Sequence, residues 1–147
     1  MNNEPSSVVT VEQFVTALIQ NSPNTPSTDN YLQYGYDSGW LEDMDITGKD
    51  AALLRKNAAR IIHEFMRIEL QESDLADVSC ASKLRDLYDC RVCAKHIMQV
   101  YAKGIMEGFY ASDTLYLFGL KEAVTTVEAS AIISRVFHTN QRFSNQN

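Results

Sequence analysis

The sequence predicts an all-α fold assembled from a repeated pair of helices, and three observations lead there. Only six Gly and three Pro occur among 147 residues, so long stretches can stay helical. Apolar residues recur at three- and four-residue steps in several windows, the period of a helix that buries one stripe. Two stretches of the chain also match two later ones at nearly constant offsets, the mark of a repeated supersecondary unit.

Taken in order, the first helix opens at Thr10. Its hydroxyl and the Gln13 amide three residues on read as a capping box, with Val9 and Phe14 at the positions of a hydrophobic staple. The stretch NSPNTPSTD from Asn21 is a loop, because Pro23 and Pro26 cannot continue a helix. A second helix, Asn30–Ser38, stops at Gly39, which Trp40 follows. The third, Leu53 to about Ile68, carries Leu54, Ala58, Ile61, Ile62 and Phe65 as its apolar stripe, while Lys56, Arg60, His63 and Arg67 share another face. A fourth, roughly Cys90–Lys103, stops at Gly104 ahead of Ile105; both glycines suit left-handed caps with an apolar residue beyond. Thr125 and Glu128 repeat the capping-box pattern, and Ala129, Ile132, Ile133, Val136 and Phe137 form the last stripe.

The matches are specific. From Tyr31, YLQYGYDSGWLED aligns with HIMQVYAKGIMEG from His96, pairing Tyr36 with Tyr101 and Gly39 with Gly104. LLRKNAARIIHEF from Leu53 aligns with VTTVEASAIISRV from Val124, after a loop six residues longer. VTVEQFVTALI from Val9 supplies only a second helix. The organisation expected is one domain over 8–138, made of a half repeat 8–22, a repeat 29–70 and a repeat 88–138, between polar tails at 1–7 and 139–147.

Charge and composition narrow the function. The net charge is −6, with seven acids and no Lys or Arg in 1–48 and ten bases against eight acids in 49–103. An acidic total argues against a phosphate-backbone partner, so no nucleic acid is expected. No run approaches the roughly 18 apolar residues of a membrane span. The chain shows no basic, apolar leader; a leader removed on export places the protein at the cell surface, and otherwise it is cytoplasmic. No nucleophile with its base, carboxylate pair in an apolar setting or Gly-rich phosphate loop stands out, so the expectation is a noncatalytic protein without a cofactor.

The segment KGIMEG and the second-helix starts VTTVEA, LLRKNA and VTVEQF resemble the S-layer homology family, in which a "G-I-x-x-G" turn precedes a helix opening with "I-T-R-A-E". The resemblance spans about residues 8–138 and implies an all-α, pseudo-threefold prism of helix-loop-helix units whose grooves bind secondary cell-wall polysaccharide. On that reading Arg55, which fills the motif arginine position, binds the glycan with help from Trp40, Gly104, Thr125 and Glu128. Thr126 and Val11 stand at the other two arginine positions, so two of the three arginines are gone. The alternative is an intracellular helical scaffold that holds a protein partner, or a homodimer formed over the apolar surface that the incomplete first unit leaves open.

Each residue has a plainer reading. Arg55 either grips an anion or pairs within the chain; Trp40 stacks on a sugar or fills the core. Cys80, Cys90, Cys93 and His96 form a possible metal set, Cys90 and Cys93 a redox pair, or all are simply packing groups. An odd number of cysteines suits a reducing compartment or a surface that does without disulfides. The Lys56, Arg60, His63, Arg67 stripe is a wet helix face or an anion site. The aromatic loop Phe109–Phe118, with Tyr110 and Tyr116, lines a groove or plugs a repeat interface, and Asp43 and Asp45 are ordinary turn residues.

Overall fold

An N-cap residue holds extended dihedrals, so the residue before it can pair with a neighbouring backbone. Thr10, Leu54 and Thr125 all take this conformation, with φ between −87° and −83° and ψ between 150° and 164°. The residues just ahead of them meet in a closed ring. Val9 N donates to Val124 O (2.9 Å), Val124 N to Leu53 O (2.8 Å), and Leu53 N to Val9 O (2.9 Å). All three side chains are buried, and the ring satisfies backbone groups that no sheet would otherwise reach.

The computed structural model describes residues 7–145. Its helices are α1 (Val11–Gln20), α2 (Tyr31–Ser38), α3 (Asp43–Thr47), α4 (Arg55–Ile68), α5 (Arg91–Ala102) and α6 (Thr126–Phe137). Single 3-10 turns at Ser79–Lys83 and Leu87–Asp89 lie in the segment between α4 and α5, and another at Thr139–Gln141 follows α6. Helix α2 packs on α1 and α5 runs along α4, whereas α6 meets α1 and the closing 3-10 turn. One core joins them through Phe14, Leu18, Trp40, Ile61, Ile62, Phe65, Tyr101 and Phe118. None of the described helices is long and apolar enough to cross a membrane.

The all-α prism expected from sequence is corrected by a two-stranded antiparallel sheet, so the fold is mixed though mostly helical. Strands β1 (Phe109–Ser112) and β2 (Leu115–Leu117) pair Phe109 with Leu117 and Tyr110 with Tyr116. The six extra residues of the later loop give room for a hairpin, and its aromatic and aliphatic cross-strand pairs suit a pleated surface. The earlier copy has no such length and forms α3 instead.

The expected tails also need revision where they are described. Residues 1–6, 146 and 147 lie outside the described residues. Ser7 O accepts from both the backbone N and the hydroxyl of Thr126, each at 2.7 Å. The segment after α6 is tied down: Arg142 reaches Glu72 (2.8 and 3.0 Å) and Val136 O (3.0 Å), and Asn145 Nδ2 donates to Tyr101 O (2.7 Å). Its polar composition reflects hydrogen bonds made to the body.

Candidate binding site

Arg55 begins α4, where its side chain crosses to the later repeat. It is buried, donates from Nε to Phe118 O (2.8 Å) and from Nη2 to Glu107 O (2.5 Å), pairs with Glu128, and lies 4.6 Å over the Phe118 ring. Burial pushes the guanidinium down to about 10, against the opposing charges of Glu107, Asp86 and Glu122, so it is still protonated at neutral pH. Asp86 sets the receiving backbone by accepting from Phe118 N and Gly119 N, both at 2.8 Å. A planar fork with three fixed partners is a structural clamp as much as an anion receptor.

The other residues named from sequence fall in several places. Thr125 caps α6 by accepting from Glu128 N (3.1 Å), but the Glu128 carboxylate turns to Arg55 and leaves the reciprocal half of the capping box unmade. Thr10 and Gln13 make both halves. Trp40 is 1% exposed and meets Phe65 edge to face at 5.0 Å, so sugar stacking is corrected to a core role; its indole N–H has no hydrogen-bond partner among the described residues. Gly104 has φ +77° and sits against the Phe143 backbone, outside the groove beside Arg55. That groove, of about 510 Å³, brings Arg55 and Glu128 together with Glu107, Phe109, Val127 and Arg135.

A larger groove, of about 870 Å³, runs between α1 and α6. Phe14, Ala129 and Ile133 form its floor, while Gln13, Asn21, Ser130 and Ser134 supply a neutral polar rim. Among the described residues, His138 is the only titratable side chain that lines it. The sequence signal for this groove was the missing first helix of the half repeat.

Two expectations about α4 and α5 are overturned. The polar stripe of α4 is wet only in part: Arg67 is exposed and Lys56 half-buried, but Arg60 and His63 are 8% and 4% exposed, held by Asp45 of α3 and His96 of α5. Arg60 forms a bidentate pair with Asp45 (2.8 and 2.7 Å), itself 2% exposed, so Asp45 is far from ordinary turn chemistry. Burial alone pushes the Arg60 guanidinium down, but the Asp45 bonds and charge outweigh it and hold the group above its ordinary value. Cys90 and Cys93 are joined in a disulfide across the first turn of α5, which removes both as thiolate ligands; Cys80 is free. Burial raises the Cys80 thiol above its usual range, so it is not an activated nucleophile.

His96 keeps its interest in different company. His63 Nε2 lies 2.8 Å from Asp74 Oδ1, and its Nδ1 lies 2.8 Å from His96 Nδ1. Glu64 Oε2 stands 3.9 and 3.8 Å from the two Nδ1 atoms. Burial, then the neighbouring His63, pushes His96 down to about 4, so its ring is neutral at ordinary pH. His63 was read from sequence only as part of the α4 polar stripe, and Glu64 and Asp74 were missed, because the partners come from α5 and from the loop after α4.

No family model matches the chain, and no curated protein matches it.

Proposed function

We propose that the protein is a noncatalytic binding module that seats an amphipathic helix of a protein partner in the groove between α1 and α6. The observation that carries this is an unequal pairing of helices. Helix α1 is covered by α2 and α4 by α5, while α6, which matches α4 along the repeat, has no covering helix among the described residues. The place beside α6 has an apolar floor and, among the described residues, no Lys, Arg, Asp or Glu on its rim. Its natural occupant is therefore a short helix with an uncharged, apolar face, like α2 and α5, docking as i, i+3, i+4 anchors.

The test uses a synthetic peptide of residues 29–42, the sequence that covers α1, added to the full chain and followed by amide NMR shifts. Binding at sub-millimolar concentration, with shifts confined to Gln13, Ala17, Ser130 and Ile133 and abolished by Ser130→Arg, is expected. Absence of shifts up to millimolar peptide overturns the helix-seat reading.

A second reading, an anionic cell-envelope glycan in the Arg55 groove, is favoured by one observation. Phe109, 40% exposed, offers a ring for a sugar next to the Arg135 cation. Purified cell-wall polysaccharide that shifts Phe109 and Val127 amides, and leaves α1 untouched, would select that reading.

A further inference from the structure

We propose that His63, His96 and Glu64 form a binding site for one divalent d-block cation such as Zn²⁺, clasped between α4 and α5, with Asp74 orienting His63 from behind. This reading is independent of the helix groove, which lies on other elements.

The donors converge from two helices. His63 and Glu64 are consecutive on α4, and His96 comes from the facing turn of α5. His63 and His96 are 4% and 6% exposed, and the Glu64 side chain is 20% exposed. All three ligand atoms lie within 4.8 Å of one another. Around a tetrahedral Zn²⁺ with bonds of about 2.0–2.1 Å, ligand atoms sit about 3.3 Å apart. The separations here of 2.8, 3.8 and 3.9 Å bracket that value, so small rotamer shifts suffice to admit the ion.

The proton arrangement is already suited to a metal. An ionised Asp74 can only accept, so His63 Nε2 carries the proton and donates to it. His63 Nδ1 then holds a lone pair, which the His96 Nδ1–H currently meets. A carboxylate behind one imidazole fixes its tautomer and raises its basicity, the usual support of a metal-bound histidine. Moving the His96 proton from Nδ1 to Nε2, by exchange with solvent, keeps that ring neutral and leaves both Nδ1 atoms with lone pairs for one cation.

The surrounding charges leave room for a cation. Arg67 holds Glu64 Oε1 at 2.5 Å, which leaves Oε2 directed at the histidines. Nearby Arg60 is neutralised by its bidentate bond to Asp45, and Lys95 is the remaining positive neighbour of His96. Glu64 and Asp74 balance Lys95 and Arg67, so the site is close to neutral before the ion arrives and the ligand nitrogens draw it in. Imidazole nitrogens with a carboxylate select Zn²⁺, Co²⁺, Ni²⁺ or Cu²⁺ over Mg²⁺ or Ca²⁺.

The test titrates the full-length, metal-stripped chain with ZnCl₂ by calorimetry and with CoCl₂ by visible absorption. One equivalent bound, with ligand-field bands from Co²⁺ that Zn²⁺ erases, is expected. Asp74→Asn should weaken the affinity about tenfold or more while leaving the fold unchanged, since it removes only the orienting carboxylate. His96→Gln should abolish binding, with Glu64→Gln as a second ligand variant should His96→Gln fail to fold. The double variant Cys90→Ser, Cys93→Ser should bind Zn²⁺ as tightly as the parent. No binding by the parent at about a thousandfold excess of protein-site concentration, affinity indifferent to both ligand variants, or binding lost with the two cysteines would each overturn the proposal.

Discussion

Helices α4 and α6 hold matched places in the two repeats, yet their surroundings are opposite. Both start from an extended cap in the backbone ring and carry a similar apolar stripe inward. Helix α4 is also covered on its outer side by α5, and there it buries polar groups, Arg60 and His63, each with a partner. Helix α6 has no such helix over it among the described residues; beside the groove it shows Ser130 and Phe137, with Ala129 and Ile133 of its inward stripe nearly buried at the groove floor. The covered helix thus sets polar groups against its neighbour, whereas the helix beside the groove keeps small and apolar residues there.

The sharpest break of this contrast is at Asp45. Asp45→Ala leaves Arg60 buried without its bidentate partner, a change that costs about 3 kcal/mol or more. A melting temperature lower by roughly 6–12 °C is expected by calorimetry. A fall of under a degree or two would mean that the pair between α3 and α4 is not shut away from water.

Next in size is the paired substitution of the two matched glycines. Both are left-handed, at φ +98° for Gly39 and +77° for Gly104, so an alanine at either position should cost on the order of 1–2 kcal/mol of backbone strain. At Gly39 the added methyl meets only Ile68 Cδ1 at 3.8 Å, whereas at Gly104 it collides with the Phe143 backbone. Gly104→Ala is therefore expected to cost more and to release residues 139–145, seen as faster proteolysis at the C-terminal end. Equal effects at the two sites would show that this segment does not rest on Gly104.

The smallest effect is electrostatic and concerns the same segment. Burial pushes the Glu72 carboxyl up, but hydrogen bonds from Arg142 and Lys103 and their charges win, holding it below the ordinary carboxylate range. The unfolded chain then binds this proton first as the pH falls. Stability from Glu72 is complete above the ordinary carboxylate range and disappears as the pH drops through the lowered folded value. Urea unfolding across a pH series should show a shallower acid decline for Glu72→Gln than for the parent.

Much of the helical grammar was legible. Thr10 with Gln13, the stops at Gly39 and Gly104, and the α6 stripe are local signals, and local signals survive folding. The hairpin was hidden because Phe109–Phe118 offers only four- and three-residue strands, both too short to show a period. The burial of Arg60 and His63 was not readable, since a polar stripe looks alike whether water or α5 lies over it. Of the candidate site, the Arg55–Glu128 pairing was half visible: both residues stood out by motif position, but their meeting depends on the loop carrying Phe118. The disulfide could not be separated from free thiols by an odd cysteine count.

The ring through Val9, Leu53 and Val124 also dictates the order of assembly. Its three segments lie far apart along the polypeptide, and each lends one amide and receives another. A nascent chain that has not yet reached Val124 can close only one of the three links, so the ring is completed only once Val124 is in place. Slow, cooperative closure follows from such distant partners. In the finished molecule these three amides should rank among the slowest to exchange with deuterium, opening only when the whole domain does.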